Sequence, residues 1–341
     1  MSIKVGIFLG GPSREREISF AGGRTVYDNL DKALFDPVPI FVDSGGRWFL
    51  LDWQYLYRGT IRDFFPPIDL APKSAHGFQV YQESLGPLGE LEIESMGRKI
   101  GRRIRRDELP ELIDVAFLAL HGEYGEDGQL QRELEYAGIP YTGSGVEASE
   151  IGMDKALQKE LMVAKGFPSP NIRVIDREDF DAERVEEHYA AAVAEIGWPM
   201  VIRPARQGSS IGVAILREKD GKEAFVRAVN AAFFREILPV NEYAVRDAYE
   251  RLEYVRQLSD LRDGLAFPLD ARRGDHDLTL YTPDDLHAYL EAATEGGPEE
   301  VIFTAHQSEE RVIVESFIDG KEFSCIVVRT EASEAVALGQ R

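Results

Sequence analysis

The sequence predicts an α/β protein whose first part is built on a parallel sheet. Two observations carry this. Lys4 to Leu9 is a β-branched apolar run that stops at Gly10-Gly11. Phe20, Thr25-Val26 and Leu30 then recur at helical spacing, and a second strand-like run, Phe35 to Val42, follows. Strand, helix, strand in that order is a βαβ unit, which sets its two strands parallel. Ligands on such sheets bind beyond the carboxyl ends of the strands, where Gly10-Gly11 falls.

Further along, Trp48 to Arg106 is less regular and holds a basic run of Arg98, Lys99, Arg102, Arg103, Arg105 and Arg106. It reads either as a phosphate-facing patch or as a solvated loop. Ile113 to Leu120 is another buried strand, ending at His121-Gly122, with a helix from Gln129 to Tyr136. The turn-rich stretch 138–149 marks a domain boundary. Next come a helix from Asp154 to Lys165, a strand near Ile172 to Ile175 and a helix from Arg184 to Ile196. Met200 to Leu216 reads as two strands joined by a glycine–serine loop. Residues 221–297 are strongly charged, with helical spacing in Phe225, Val229, Phe233 and in Leu252, Val255, Leu258. Thr282-Pro283 with Asp285 is a helix start. Arg311 to Arg329 reads as a hairpin turning at Asp319-Gly320.

Bulk composition narrows the function. A chain of 341 residues suggests two or three domains. A net charge of −21 argues against a general nucleic-acid binder, which needs a basic surface. The single cysteine, Cys325, excludes an intrachain disulfide and a Cys-rich metal cluster, and fits a reducing compartment. The opening apolar run is too short for a signal peptide, and no segment approaches the roughly 20 apolar residues of a membrane span. The expected location is the cytoplasm, with no membrane partner.

The strongest chemical signal is the loop Arg206-Gln207-Gly208-Ser209-Ser210-Ile211-Gly212. Glycines let backbone N–H groups approach an anion, and serine hydroxyls add donors, so the loop suits a polyphosphate. It is not a P-loop, because it lacks Gly-Lys-Ser/Thr and leads into a strand. Two other readings stand beside it. One is a flexible hairpin loop. The other is a hydrolase elbow, since 208–212 matches G-x-S-x-G with Ser210 as nucleophile and His276, His287 and His306 downstream. The elbow needs a helix after the serine, whereas Val213 to Leu216 reads as strand. Lys155 and Arg203, each next to a turn, are phosphate-binding cations or surface charges. Glu315 and Glu322 are acceptors for a base and a ribose, or ordinary edge carboxylates. Glu15 offers a negative charge to an ammonium group, or is a helix N-terminal acid.

Taken together, Phe8 to Ser19, Leu118 to Gln131, Pro140 to Lys155, Val201 to Val213 and Val312 to Phe323 resemble, in that order, the D-alanine–D-alanine ligases of the ATP-grasp superfamily. The likeness covers residues 1 to about 216 and resumes near Val312. It implies a Rossmann-like N-terminal substrate domain at 1–147 and the first part of an ATP-grasp α+β domain at 148–217. A mostly helical insertion at 218–310 follows, then at 311–341 further ATP-grasp strands and the start of a C-terminal domain.

The chemistry implied is phosphorylation of one D-alanine carboxylate by ATP and attack on the acyl phosphate by the amine of a second, for peptidoglycan precursors. By resemblance Glu15 and Ser209 are the catalytic candidates, and Glu15, Ser19, His121 and Ser209 face the amino acids. Lys155, Arg203, Ser209 and Ser210 would hold phosphates, with Glu315 on adenine and Glu322 on ribose. Arg203 stands where the family usually has lysine, and Ser316 replaces another usual lysine. The family uses Mg2+ or Mn2+, whose ligands are expected beyond Arg341, so none is assigned within this chain. The chain is therefore expected to be truncated: part of a split ligase, or an ATP-binding remnant. Substrates are D-alanine and ATP, D-lactate stays open as acceptor, and a homodimer is compatible with the resemblance.

Overall fold

The computed structural model describes residues 2–322, 324–329 and 335–338. Its first unit runs β1 (Ile3–Gly10), α1 (Arg16–Asn29), β2 (Phe35–Val42), β3 (Trp48–Leu51), α2 (Glu90–Ile100), β4 (Gly101–Ile104), α3 (Leu109–Leu112), β5 (Val115–Leu118) and α4 (Gln129–Ala137). The predicted βαβ unit is present: β1 and β2 pair in parallel, from Ile3 opposite Phe35 to Gly10 opposite Val42. β5 adds in parallel to the other edge of β1. Sheet order is β4-β3-β2-β1-β5, with β3 and β4 antiparallel. Gly23 lets α1 lie close on this sheet, since a Cβ there would stand 2.5 Å from that of Leu9.

The sequence reading missed β3 and β4 for a physical reason. β4 is Gly-Arg-Arg-Ile, with no apolar alternation, and is a strand because β3 offers it a free edge. The basic run is not a phosphate-facing patch. Its six cations pair with Glu94, Asp69, Glu108, Glu90, Asp107 and Glu133, on the end of α2, along β4 and beyond.

The second unit holds α5 (Val146–Met153), α6 (Lys155–Ala164), β6 (Ile172–Asp176), α7 (Val185–Glu195), β7 (Met200–Pro204), β8 (Ala214–Leu216) and α8 (Gly221–Ala232). Its sheet is completed from far along the chain, by a strand that follows an intervening module.

That module comprises β9 (Arg235–Pro239), α9 (Val240–Ala244), α10 (Ala248–Ser259), β10 (Leu269–Arg273), β11 (His276–Leu280), α11 (Pro283–Ala293) and β12 (Glu300–Ala305). The expected mostly helical insertion is thus corrected to an α+β module around a four-stranded antiparallel sheet, β11-β10-β12-β9. The strands are short and carry charge on their open face. In β10, Leu269 and Ala271 are buried while Asp270 and Arg272 face out. The α11 start is as read, with Thr282 accepting from the Asp285 amide. Phe78, from the first unit, is built into the module's core beside Leu258 and Leu286.

β13 (Arg311–Ser316) then enters the second unit's sheet between β6 and β7, antiparallel to both, in the order β6-β13-β7-β8. The expected hairpin at Asp319-Gly320 does not form, because both edges of β13 are already taken. Residues 317–322 have no regular structure. They lead to β14 (Val327–Arg329), which pairs with β15 (Ala335–Ala337).

Candidate functional site

The site begins where β1 ends. Gly10 and Gly11 have φ of 88° and 101°, and a Cβ on Gly10 would stand 2.7 Å from the Val42 carbonyl oxygen. Only glycine turns the chain there. The turn delivers Ser13 to Arg16, all buried.

Two serines stitch this turn to the end of β5. Ser13 Oγ donates to the His121 carbonyl at 2.7 Å and accepts from the Glu15 amide at 3.1 Å. Ser19 Oγ accepts from the His121 amide at 2.9 Å and donates to the Glu15 carbonyl at 3.1 Å. Ser19 and His121 therefore fix the Glu15 backbone through the main chain of residue 121. The His121 ring itself lies half exposed near Glu126.

Glu15 is 4% exposed, and its carboxylate accepts a hydrogen bond from the Ser209 hydroxyl. Glycines wall the slot: a Cβ on Gly122 or Gly208 would come within 3.1 Å or 2.8 Å of Glu15 Oε2. The two stretches singled out in the sequence, the Gly-Gly turn and the glycine–serine loop, meet at this contact. Ser209 and Ser210 hold left-handed φ values of 47° and 60°, a conformation that non-glycine residues keep only where surroundings enforce it.

A cationic corner lies on the other side of the loop. Lys155, at the start of α6, donates from Nζ to the Gln207 carbonyl at 2.6 Å, and Asp154 caps the helix. Burial lowers the Lys155 pKa, and the nearby Arg203 charge lowers it further. Arg203 is paired with Glu315 at 2.7 Å, and Lys159 reaches the other oxygen of Glu315 at 2.7 Å. Lys159 was missed in the sequence. Its signal was the i, i+4 spacing from Lys155, which sets both on one face of α6. Glu322 lies exposed beyond β13, and no described contact brings it to Glu315.

A cavity of about 360 Å³ opens beside these groups, between Ser13, Glu123, Arg206, Gln207 and Glu309. Burial raises the pKa of both Glu123 and Glu309.

The hydrolase alternative fails on geometry. Ser210 lies between two antiparallel strands, β7 and β8, not between a strand and a helix. Two of the three candidate bases are engaged elsewhere, His306 with Asp270, and His287 with Glu291 and the His76 ring, and His276 lies on β11 of the module. Among the described residues, none of the histidines is hydrogen-bonded to Ser210.

The chain matches the family model described as D-ala D-ala ligase N-terminus over residues 4–144 and the one described as D-ala D-ala ligase C-terminus over 161–240. Among similar proteins, the D-alanine--D-alanine ligase of Streptomyces griseus is 32% identical over 227 residues, 65% of this chain and 56% of that one. The D-alanine--D-alanine ligase of Rhodococcus erythropolis is 35% identical over 224 residues, again 65% and 56%. The chain thus spans just over half the length of these relatives. The solved D-alanine-D-alanine ligase structure from Coxiella burnetii superposes with a TM-score of 0.53 at 20% identity. That alignment covers 98% of this chain and 67% of the other, a likeness of fold.

Proposed function

Because this chain belongs to the D-alanine–D-alanine ligase family, we propose that it serves the ATP-driven joining of two D-alanines for peptidoglycan precursors. The observation that carries the reading is the meeting of buried Glu15 with Ser209 of the glycine–serine loop. It puts a carboxylate suited to an ammonium group next to a loop suited to a phosphate.

In this reading Glu15 binds the ammonium of the first D-alanine, and the Ser19–His121 bonds hold its backbone still. Lys155 and Arg203 hold the phosphates of ATP, which would favour the charged form of Lys155 against its burial. The loop amides and the Ser210 hydroxyl complete the cradle. Glu315, on β13, accepts from the adenine amino group, and Glu322 serves the ribose. A carboxylate oxygen of the first D-alanine attacks the terminal phosphorus and ADP leaves. The amine of the second D-alanine then attacks the acyl carbon, phosphate departs, and the amine sheds a proton. Charge on the transferring group is what the cations offset.

The family's reaction uses a divalent metal. Among the described residues no three acidic, histidine or cysteine side chains are placed to hold one, so no step is routed through it here. Location in the cytoplasm belongs to the same proposal. No described helix is long and apolar enough to cross a membrane.

The test is direct. The purified chain is given ATP, magnesium and D-alanine, with ADP release and dipeptide mass as readouts. The expected result is binding of ATP and D-alanine, D-alanine binding being lost in Glu15→Gln, and D-alanine-dependent ADP and D-alanyl-D-alanine once a chain carrying the metal ligands is added. ATP binding with no dipeptide in that mixture would overturn the ligase activity.

A further inference from the structure

The module at 235–305 touches both halves of the Glu15–Ser209 contact through one short turn, residues 260–265. On one side, the Arg14 guanidinium is buried against it. Nη1 donates to the carbonyls of Leu261 at 3.0 Å and Gly264 at 2.9 Å, and Nη2 donates to that of Leu265 at 2.9 Å. Nη2 also reaches the Gln307 carbonyl at 3.0 Å, and the guanidinium carbon stands 3.7 Å from the centre of the Phe234 ring. On the other side, Arg262 Nη2 donates to the Ser209 carbonyl at 3.2 Å. Arg14 is adjacent to Glu15 in the chain. The contacts therefore close a ring: Glu15 to Ser209, Ser209 to Arg262, Arg262 along the turn to Leu261, and Leu261 back to Arg14.

From this ring we infer that the 260–265 turn positions the Glu15–Ser209 pair, with Arg14 and Arg262 as its positioning residues. The inference rests on the reading of Glu15 as the ammonium acceptor, and makes the module a determinant of D-alanine binding. The chemistry suits the task. A guanidinium is a planar fork of five donors, and four carbonyls taken at once fix its orientation as a point charge would not. The buried fork sets the height of the Pro12–Arg16 turn over the sheet, and Gln307 adds a bond from Nε2 to the Pro12 carbonyl at 2.9 Å. The turn is itself tight: a Cβ on Gly264 would stand 2.3 Å from the Gln257 carbonyl oxygen. On the Ser209 side the half-exposed Arg262 contact is joined by Ile211, which is buried in the module's core cluster.

The experiment uses the full chain and two variants, Arg14→Met, which keeps apolar cover over Phe234, and Arg262→Ala, at a half-exposed position where folding is not at stake. Amide hydrogen exchange is followed without ligand, and D-alanine affinity is measured by calorimetry. Losing a hydrogen bond to a charged group shifts a local opening equilibrium about tenfold. Arg262→Ala should therefore speed exchange in 208–212 by about that factor, leaving β1 and β13 unchanged. Arg14→Met should speed exchange in both 13–19 and 208–212, and each variant should weaken D-alanine binding. A purely structural Arg14 would loosen the module's contact with Phe78 but leave 208–212 and D-alanine affinity unmoved, which overturns the inference. Unchanged exchange in 208–212 for both variants also overturns it. If exchange responds as expected but the parent chain binds no D-alanine, the positioning ring stands and the ammonium role of Glu15 falls.

Discussion

Arg203 Nη2 lies 2.7 Å from a carboxylate oxygen of Glu315, across neighbouring strands β7 and β13. In the register, Arg203 faces Ile313 and Glu315 faces Val201, so the two are diagonal partners on one face of the sheet. Lys159 closes on the same carboxylate.

Removing that carboxylate's charge leaves two largely buried cations without a counter-ion. Breaking such a pair from one side costs roughly 3 kcal/mol, because the survivors stay desolvated. Glu315→Gln is expected to lower urea stability by that order. A double variant that also changes Lys159 to Met should recover part of the loss. A single variant as stable as the parent would show the cluster to be well solvated.

Ser209→Ala deprives the buried Glu15 carboxylate of its hydroxyl donor, which costs about 1–3 kcal/mol where the acceptor stays dry. Glu15→Gln keeps an acceptor oxygen for Ser209 while removing the negative charge. The expected split is a destabilised protein for Ser209→Ala, and for Glu15→Gln a near-normal melt with lost D-alanine binding. Denaturation and calorimetry on the same samples check it.

Glu309 gives a pH dependence of definite sign. Burial is the main cause raising its pKa above 4.5, opposed by bonds from Gln207 and Arg206. The folded state thus holds this proton more tightly than the unfolded one. The stabilisation is full below the unfolded pKa of about 4.5 and is lost as pH rises through the folded value. Glu309→Gln mimics the protonated form at every pH. Its stability relative to the parent should be greater at about pH 8 than at about pH 4. Paired urea melts at the two ends measure the difference.

Phe78 carries a further contact between the first unit and the module, beside the His76–His287 ring pair, packed in the module's core with Arg256 near its ring. Phe78→Ala should cost about 3 kcal/mol, the ordinary penalty for truncating a buried aromatic. Limited proteolysis should find new cuts in 66–81 and in the 260–265 turn. Cuts spread evenly over all units would instead mark global unfolding.

Most of what positions the site was legible in the sequence, for traceable reasons. The βαβ start and the β7–loop–β8 pair carry strong local signals: continuous apolar runs ended by glycine. Glu15, Ser19 and Ser209 lie in the stretches those glycines open, and Lys155 opens helix α6 after its Asp154 cap. What failed to show was set by distant partners. β4 is a strand only because β3 needs a neighbour, and β13 forms no hairpin because β6 and β7 take both its edges. The alternation of Leu269 and Ala271 with Asp270 and Arg272 was the available sign of β10, masked by the charge around it. Arg14 gave no sign at all, since its acceptors are carbonyls more than two hundred residues away.

The insertion of β13 between β6 and β7 bears on the order of events during synthesis. A nascent chain leaving the ribosome presents β6 and β7 early, yet the strand that joins them is translated only after the whole module. Until Arg311 to Ser316 emerges, the edges of β6 and β7 that β13 will fill are open to other chains. Rapid folding of the module on the already formed first unit would bring the tail of the chain close to that gap. β12, the module's last strand, ends at Ala305, and five residues separate it from the start of β13 at Arg311, so the folded module leaves β13 little chain in which to stray from that gap.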